Sequence, residues 1–114
     1  MEPVMRYVDH EPGAWFLVEQ DDVLLLDARY SYSALIDTSA LIRLDDSERD
    51  AYRAGGHAYL SDLAHRVHHS GPYREESPYY SRDLYRSADS TALRAAVGAA
   101  IVDHTWIAEQ HRTD

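Results

Sequence analysis

The seven histidines and nine tyrosines are the side chains of this 114-residue chain best suited to chemistry. Asp62, His65, His68 and His69 form the densest group of metal-ligating types, and two histidines three or four residues apart on a helix can chelate one ion. A third ligand is then required. Asp62 and His69 are separated by about 10 Å along a helix axis at a rise of 1.5 Å per residue, so converging on one ion would stretch both side chains to their limit. With no HExxH pattern and no cysteine, this group reads as a solvated helix face, and neither a metal nor a cofactor is expected.

His104 differs in falling on an apolar stripe. A buried imidazole needs a hydrogen-bonding partner, which Tyr30, Tyr32 or a tyrosine of the later loop could supply. The alternative is a pocket in which His104, Tyr59 and Tyr32 converge, with Asp37 or Asp103 as the acid for proton transfer. Serine-nucleophile elbows of the GxSxG type are absent, and a chain without lysine cannot hold GxxxxGK[ST].

A helix is expected over Asp45–His69, with Asp46 as its cap. At about 100° per residue, Tyr52, Gly56, Tyr59, Leu60, Leu63 and Val67 share one stripe. Gly55-Gly56 interrupts it at a cost of roughly 1 kcal/mol per glycine, for which close approach of helix to sheet is the simplest reason and a local break the alternative. Before this helix, Val4–Val8, Trp15–Glu19, Val23–Tyr32 and Ser33–Leu44 read as strands by their period of two. After it, Ser70–Ser87 is irregular and rich in tyrosine and arginine, and a second helix follows over Ala88–His111 with apolar residues on two sides. One carries Leu93, Val97 and Ala100; the other carries Ala95, Ala99, Val102 and Trp106. The loop is expected to close over the Trp106 face, which otherwise becomes a surface for homodimerisation.

The result is a single α+β domain over Met1–Asp114, with an antiparallel sheet of three to four strands in the N-terminal half and two C-terminal helices packed on one face of it. Its net charge of −9 is lopsided. Met1–Asp50 holds twelve acids against four arginines, a net −8, and the remainder is close to neutral. Such a field disfavours nucleic acid and anionic lipid and steers in a basic protein. No apolar run approaches the roughly 20 residues that span a bilayer, and the start of the chain has no basic segment followed by an apolar one, so a cytoplasmic protein is expected. The lack of lysine and asparagine suggests a GC-rich bacterial source.

Ser33–Leu44, followed by Asp45-Asp46-Ser47-Glu48 and by Tyr59-Leu60-Ser61-Asp62-Leu63-Ala64, resembles small acidic bacterial immunity proteins of contact-dependent inhibition systems. The resemblance implies a non-enzymatic protein that neutralises a cognate toxin by covering its active site or a surface beside it. The expected partner is a basic toxin domain, such as a nuclease. Glu11, Glu19, Asp21, Asp22, Asp27 and Asp37 are the candidate carboxylates for its cationic surface. Tyr73, Tyr79, Tyr80 and Arg82 are the candidate anchors.

Overall fold

Alternation of side chains decides how the front half folds. The computed structural model describes residues 5–33 and 36–112, with side chains described for 5–30 and 38–102. Four strands, β1 (Arg6–Glu11), β2 (Trp15–Gln20), β3 (Val23–Ser33) and β4 (Ile36–Arg43), form an antiparallel meander in the order β1-β2-β3-β4. Helix α1 (Asp46–Ser70), a 3-10 turn at Leu84–Arg86 and helix α2 (Ser90–Arg112) follow, which is the expected α+β fold. No helix among the described residues is long and apolar enough to cross a membrane.

The helices do not share a face of the sheet. Trp15, Leu17, Leu26, Ala28, Tyr30, Ala40 and Ile42 pack against Leu60, Leu63, Ala64 and Val67 of α1. The alternate residues Val18, Leu25 and Leu41 pack with Met5 and Tyr85 against Val97 and Ala100 of α2. The sheet is therefore the middle of three layers. Val23-Leu24-Leu25-Leu26 is the cause, because an unbroken apolar run points hydrophobic side chains to both faces and requires cover on each.

Helix α1 begins on a capping box. Asp45, not Asp46, is the cap: its Oδ1 accepts the Glu48 N–H at 2.8 Å while Glu48 Oε1 accepts the Asp45 N–H at 2.9 Å. Only Asp45 has a glutamate three residues on. The helix ends as expected at Gly71, whose φ of 63° and N–H bond to the His68 carbonyl close the last turn.

The segment after α1 runs along the outer side of β4 rather than over the second stripe of α2. Tyr73 and Tyr79 pack into the α1-side core and Tyr85 into the α2-side core, so the loop passes from one face to the other. On the way, Asp83 Oδ1 accepts the buried edge amide of Leu41 at 3.0 Å and the amide of Tyr85 at 3.0 Å. That carboxylate supplies the acceptors that a fifth strand would have offered. Ala95, Ala99 and Val102 remain exposed on α2, and Trp106 lies outside the residues whose side chains are described.

Candidate functional site

Gly56 positions the central side chain of the candidate site. Its φ of 61° and ψ of −141° are accessible at low cost only to glycine, and α1 bends there. A Cβ built on Gly56 would meet no heavy atom within 4 Å, so the glycine serves the bend and not a close approach to the sheet. The bend delivers His57 to strand β1. Its Nδ1 lies 2.8 Å from Asp9 Oδ2 and its Nε2 2.8 Å from Glu11 Oε2, the two acids being two residues apart and on one face of the strand.

A neutral imidazole has one N–H, and its other nitrogen would face a carboxylate lone pair with nothing between them. Both contacts are satisfied only by the imidazolium. Hydrogen bonding to Asp9, then to Glu11, accordingly raises the His57 pKa above its ordinary value. The ring also lies 4.9 Å from the indole of Trp15, whose Nε1–H donates to Ser61 Oγ at 3.2 Å.

These contacts form one end of a cleft of about 460 Å³ between α1 and the β1–β2 turn. Ser61, Ala64, His65 and His68 line its helical wall, Gly13 and Ala14 its turn wall, and Trp15 its floor. Of the four residues in the metal reading, His65 and His68 alone line it, and no group of metal-ligating side chains capable of holding an ion occurs among the described residues. Nothing in the local spacing announces His57, since its partners lie 46 and 48 residues away. Gly55-Gly56 directly before it is the one signal. Tyr59 of the expected pocket packs on the α1-side core and does not line the cleft, whereas Tyr32 and His104 lie outside the described side chains.

Searches of protein-family models, curated proteins and solved structures give no match to this chain.

The carboxylates expected to meet a partner do not form one continuous surface. Glu11 belongs to the His57 clamp, and Glu19, at the far end of β2, pairs with Arg6. Asp27 is a correction. It points to the α2 side with only 9% exposure and accepts the Tyr85 hydroxyl at 2.5 Å, because odd-numbered residues of β3 face that helix. Asp21 and Asp22 are exposed at the β2–β3 turn, and the side chain of Asp37 lies outside the described set. The expected anchors are engaged internally as well. Tyr73 stacks 6.0 Å from Tyr30, Tyr79 packs on the core beneath Arg82, and Tyr80 lies under Arg86 at 3.8 Å and accepts its Nη2–H at 2.6 Å. Arg82 grips Glu48 with both terminal nitrogens. Tyrosine and arginine close this loop on itself, which explains a composition also suited to an interface.

The clamp has a pH signature. A histidine whose pKa is raised by folding adds stability that is complete below the ~6.5 of a free imidazole and is lost as pH rises through the folded value. Asp9 and Glu11 face the ring from β1, and the charge of Asp9 adds to burial in raising the Tyr7 and Tyr52 pKa values. His57→Ala should therefore lower the thermal midpoint at pH 6, with the difference from wild type shrinking by pH 9. A constant difference across that range in circular dichroism melts would show that the ring acts by packing alone.

Proposed function

We propose that this chain is a non-enzymatic immunity-type protein of the bacterial cytoplasm that binds a cognate basic toxin domain, such as a nuclease, through the end of the sheet built by the β2–β3 turn and the start of α1. The observation that carries this reading is the turn itself. Asp21 and Asp22 have φ of 52° and 64°, both left-handed, in a two-residue hairpin where Asn-Gly would be the easiest choice. Two adjacent aspartates there combine backbone strain with mutual repulsion, and a like-charged strained tip is a poor solution for stability alone.

Two further aspartates stand at this end of the sheet. The Leu44 N–H bonds the Leu24 carbonyl at 3.0 Å, so the chain leaves β4 beside the start of β3 and sets Asp45 and Asp46 at the same end as the turn. Asp21, Asp22 and Asp46 have no cationic partner among the described residues, whereas Arg82 and Arg6 at this end are neutralised by Glu48 and Glu19. A groove of about 450 Å³ starts at Asp46, lined by Asp45, Asp46 and Ser81 together with three arginines, Arg43, Arg49 and Arg82. Arg49, on that wall, has a buried Nε without an acceptor among the described residues, to which a partner could supply one.

Two effects separate in the variant Asp21→Asn/Asp22→Gly. It should raise stability by about 1 kcal/mol by relieving the left-handed backbone and slow association with the basic protein encoded by the adjacent reading frame about tenfold at low salt, with a flatter salt dependence. If that rate and its salt dependence match wild type, or if no basic protein is bound at all, the reading fails.

A further inference from the structure

We propose that the cleft between α1 and the β1–β2 turn is a binding site for a small organic anion, a carboxylate or phosphate carried on a flat apolar body. Its volume of about 460 Å³ falls within the range of ordinary ligand pockets, roughly 300 to 1,000 Å³. Three polar side chains of one helical row converge on it, Ser61, His65 and His68, at spacings that place them on a common face of α1. The sheet side contributes Glu11 and Arg29, and the turn between them carries no bulky side chain. Gly13, at φ 76°, has no heavy atom within 4 Å of where its Cβ would stand, so the turn leaves open space where a side chain would otherwise project.

The hydrogen-bonding inventory selects the sign of the ligand. Ser61 Oγ already accepts the Trp15 indole N–H, which leaves its own O–H free to donate into the cleft. Imidazole N–H groups on His65 and His68 add donors along the same wall. The one carboxylate on the lining, Glu11, shares the imidazolium of His57 with Asp9, so the clamp sums to −1, and Arg29, the guanidinium on the same lining, offsets that charge toward an anion. Ala14, Ala64 and the underlying Trp15 provide an apolar floor for a flat group. Donors above an apolar floor fit an anionic headgroup on an aromatic or similarly flat body.

This site lies at the end of the sheet away from Asp21 and Asp22, and its test is independent of the toxin-binding reading. The full-length ¹⁵N-labelled protein would be titrated with benzoate, phenyl phosphate, neutral benzyl alcohol and cationic benzylamine while the amides of Gly13, Ala14, Ser61 and His65 are followed. Saturable shifts confined to these amides are expected for one or both anions, at affinities about tenfold above the alcohol, the scale of a hydrogen bond to a charged group. Benzoate alone, or phenyl phosphate alone, would name the headgroup. His68→Gln, on the exposed side of α1, and Ser61→Ala should each weaken the preferred anion about fivefold to tenfold without altering the Asp21→Asn/Asp22→Gly phenotype. The proposal is overturned if neither anion saturates, if benzylamine or benzyl alcohol binds as tightly as the anions, or if both variants bind like wild type.

Discussion

Replacing Arg82 with methionine should lower the unfolding free energy by about 2 kcal/mol, between the ~0.5 of an exposed pair and the roughly 3 to 5 of a buried one, because Arg82 is 31% exposed while its partner is nearly covered. The guanidinium meets Glu48 with Nη1 at 3.1 Å from Oε2 and Nη2 at 2.5 Å from Oε1, and Nη2 also donates to the Arg43 carbonyl at 2.8 Å. The Glu48 side chain is only 11% exposed. Methionine can fill the aliphatic path of the arginine, so the loss measured is that of the charge and its fork of donors. The remaining carboxylate is then buried beside the first turn of α1 with the Asp45 N–H as its surviving described hydrogen bond.

Two comparisons make the Arg82 result specific. Arg82→Lys should recover less than half of the loss, because an ammonium cannot bond both carboxylate oxygens and the Arg43 carbonyl in the same geometry. Adding Glu48→Gln to Arg82→Met should be milder than adding the two single effects, since the stranded charge disappears. Urea denaturation with an unchanged m-value is the measurement. A loss below about 0.5 kcal/mol, as for an exposed surface pair, would mean that water screens the pair and that the loop is held by its tyrosines instead.

The fold class was readable because its signals are local: period-two alternation in β2 to β4, an apolar stripe on α1, and Ser70-Gly71-Pro72 at its end. What was less readable depends on contacts distant in sequence. Alternation in β3 shows two faces but not how the helices divide between them, and the four-residue apolar run Val23–Leu26 carried that information. A straight helical count through Gly56 put it on the core stripe, whereas a left-handed φ at that residue turns His57 toward β1. The cap was misplaced by one residue because both aspartates can cap, and Glu48 resolves the choice only if the box is read as a pair. Asp27 was counted among the solvent-facing acids for lack of any local mark of its partner, since Tyr85 is 58 residues further along the chain.

That last pair gives the second large effect. Tyr85→Phe removes the hydroxyl that donates to Asp27 Oδ2 at 2.5 Å and leaves the rest of a ring that is 7% exposed in place. At pH 7 the expected cost is about 2 kcal/mol, the value of a hydrogen bond to a buried charge. Burial already pushes the Asp27 pKa above the ordinary carboxylate value, against hydrogen bonds from Tyr85 and Ser39 and the field of Arg94 that lower it. Losing the Tyr85 donor raises it further.

The pH dependence follows from which state holds the proton. Between the unfolded value near 3.9 and the higher folded value, the native protein binds more protons than the unfolded chain, so stability falls as pH rises through that window. In Tyr85→Phe the window extends higher, and the gap to wild type should narrow as pH falls from 7 toward the unfolded value near 3.9, as Asp27 takes up its proton in the variant first. Asp27→Asn removes this pH dependence and should leave a smaller penalty for Tyr85→Phe, that of a neutral hydrogen bond, about 1 kcal/mol. A gap that stays constant from pH 7 down to pH 4 in urea titrations would contradict a charged, buried Asp27. A narrowing gap identifies it as an internal acid, and charge reversal there would then report on folding; the surface carboxylates to alter for partner binding are those of the β2–β3 turn.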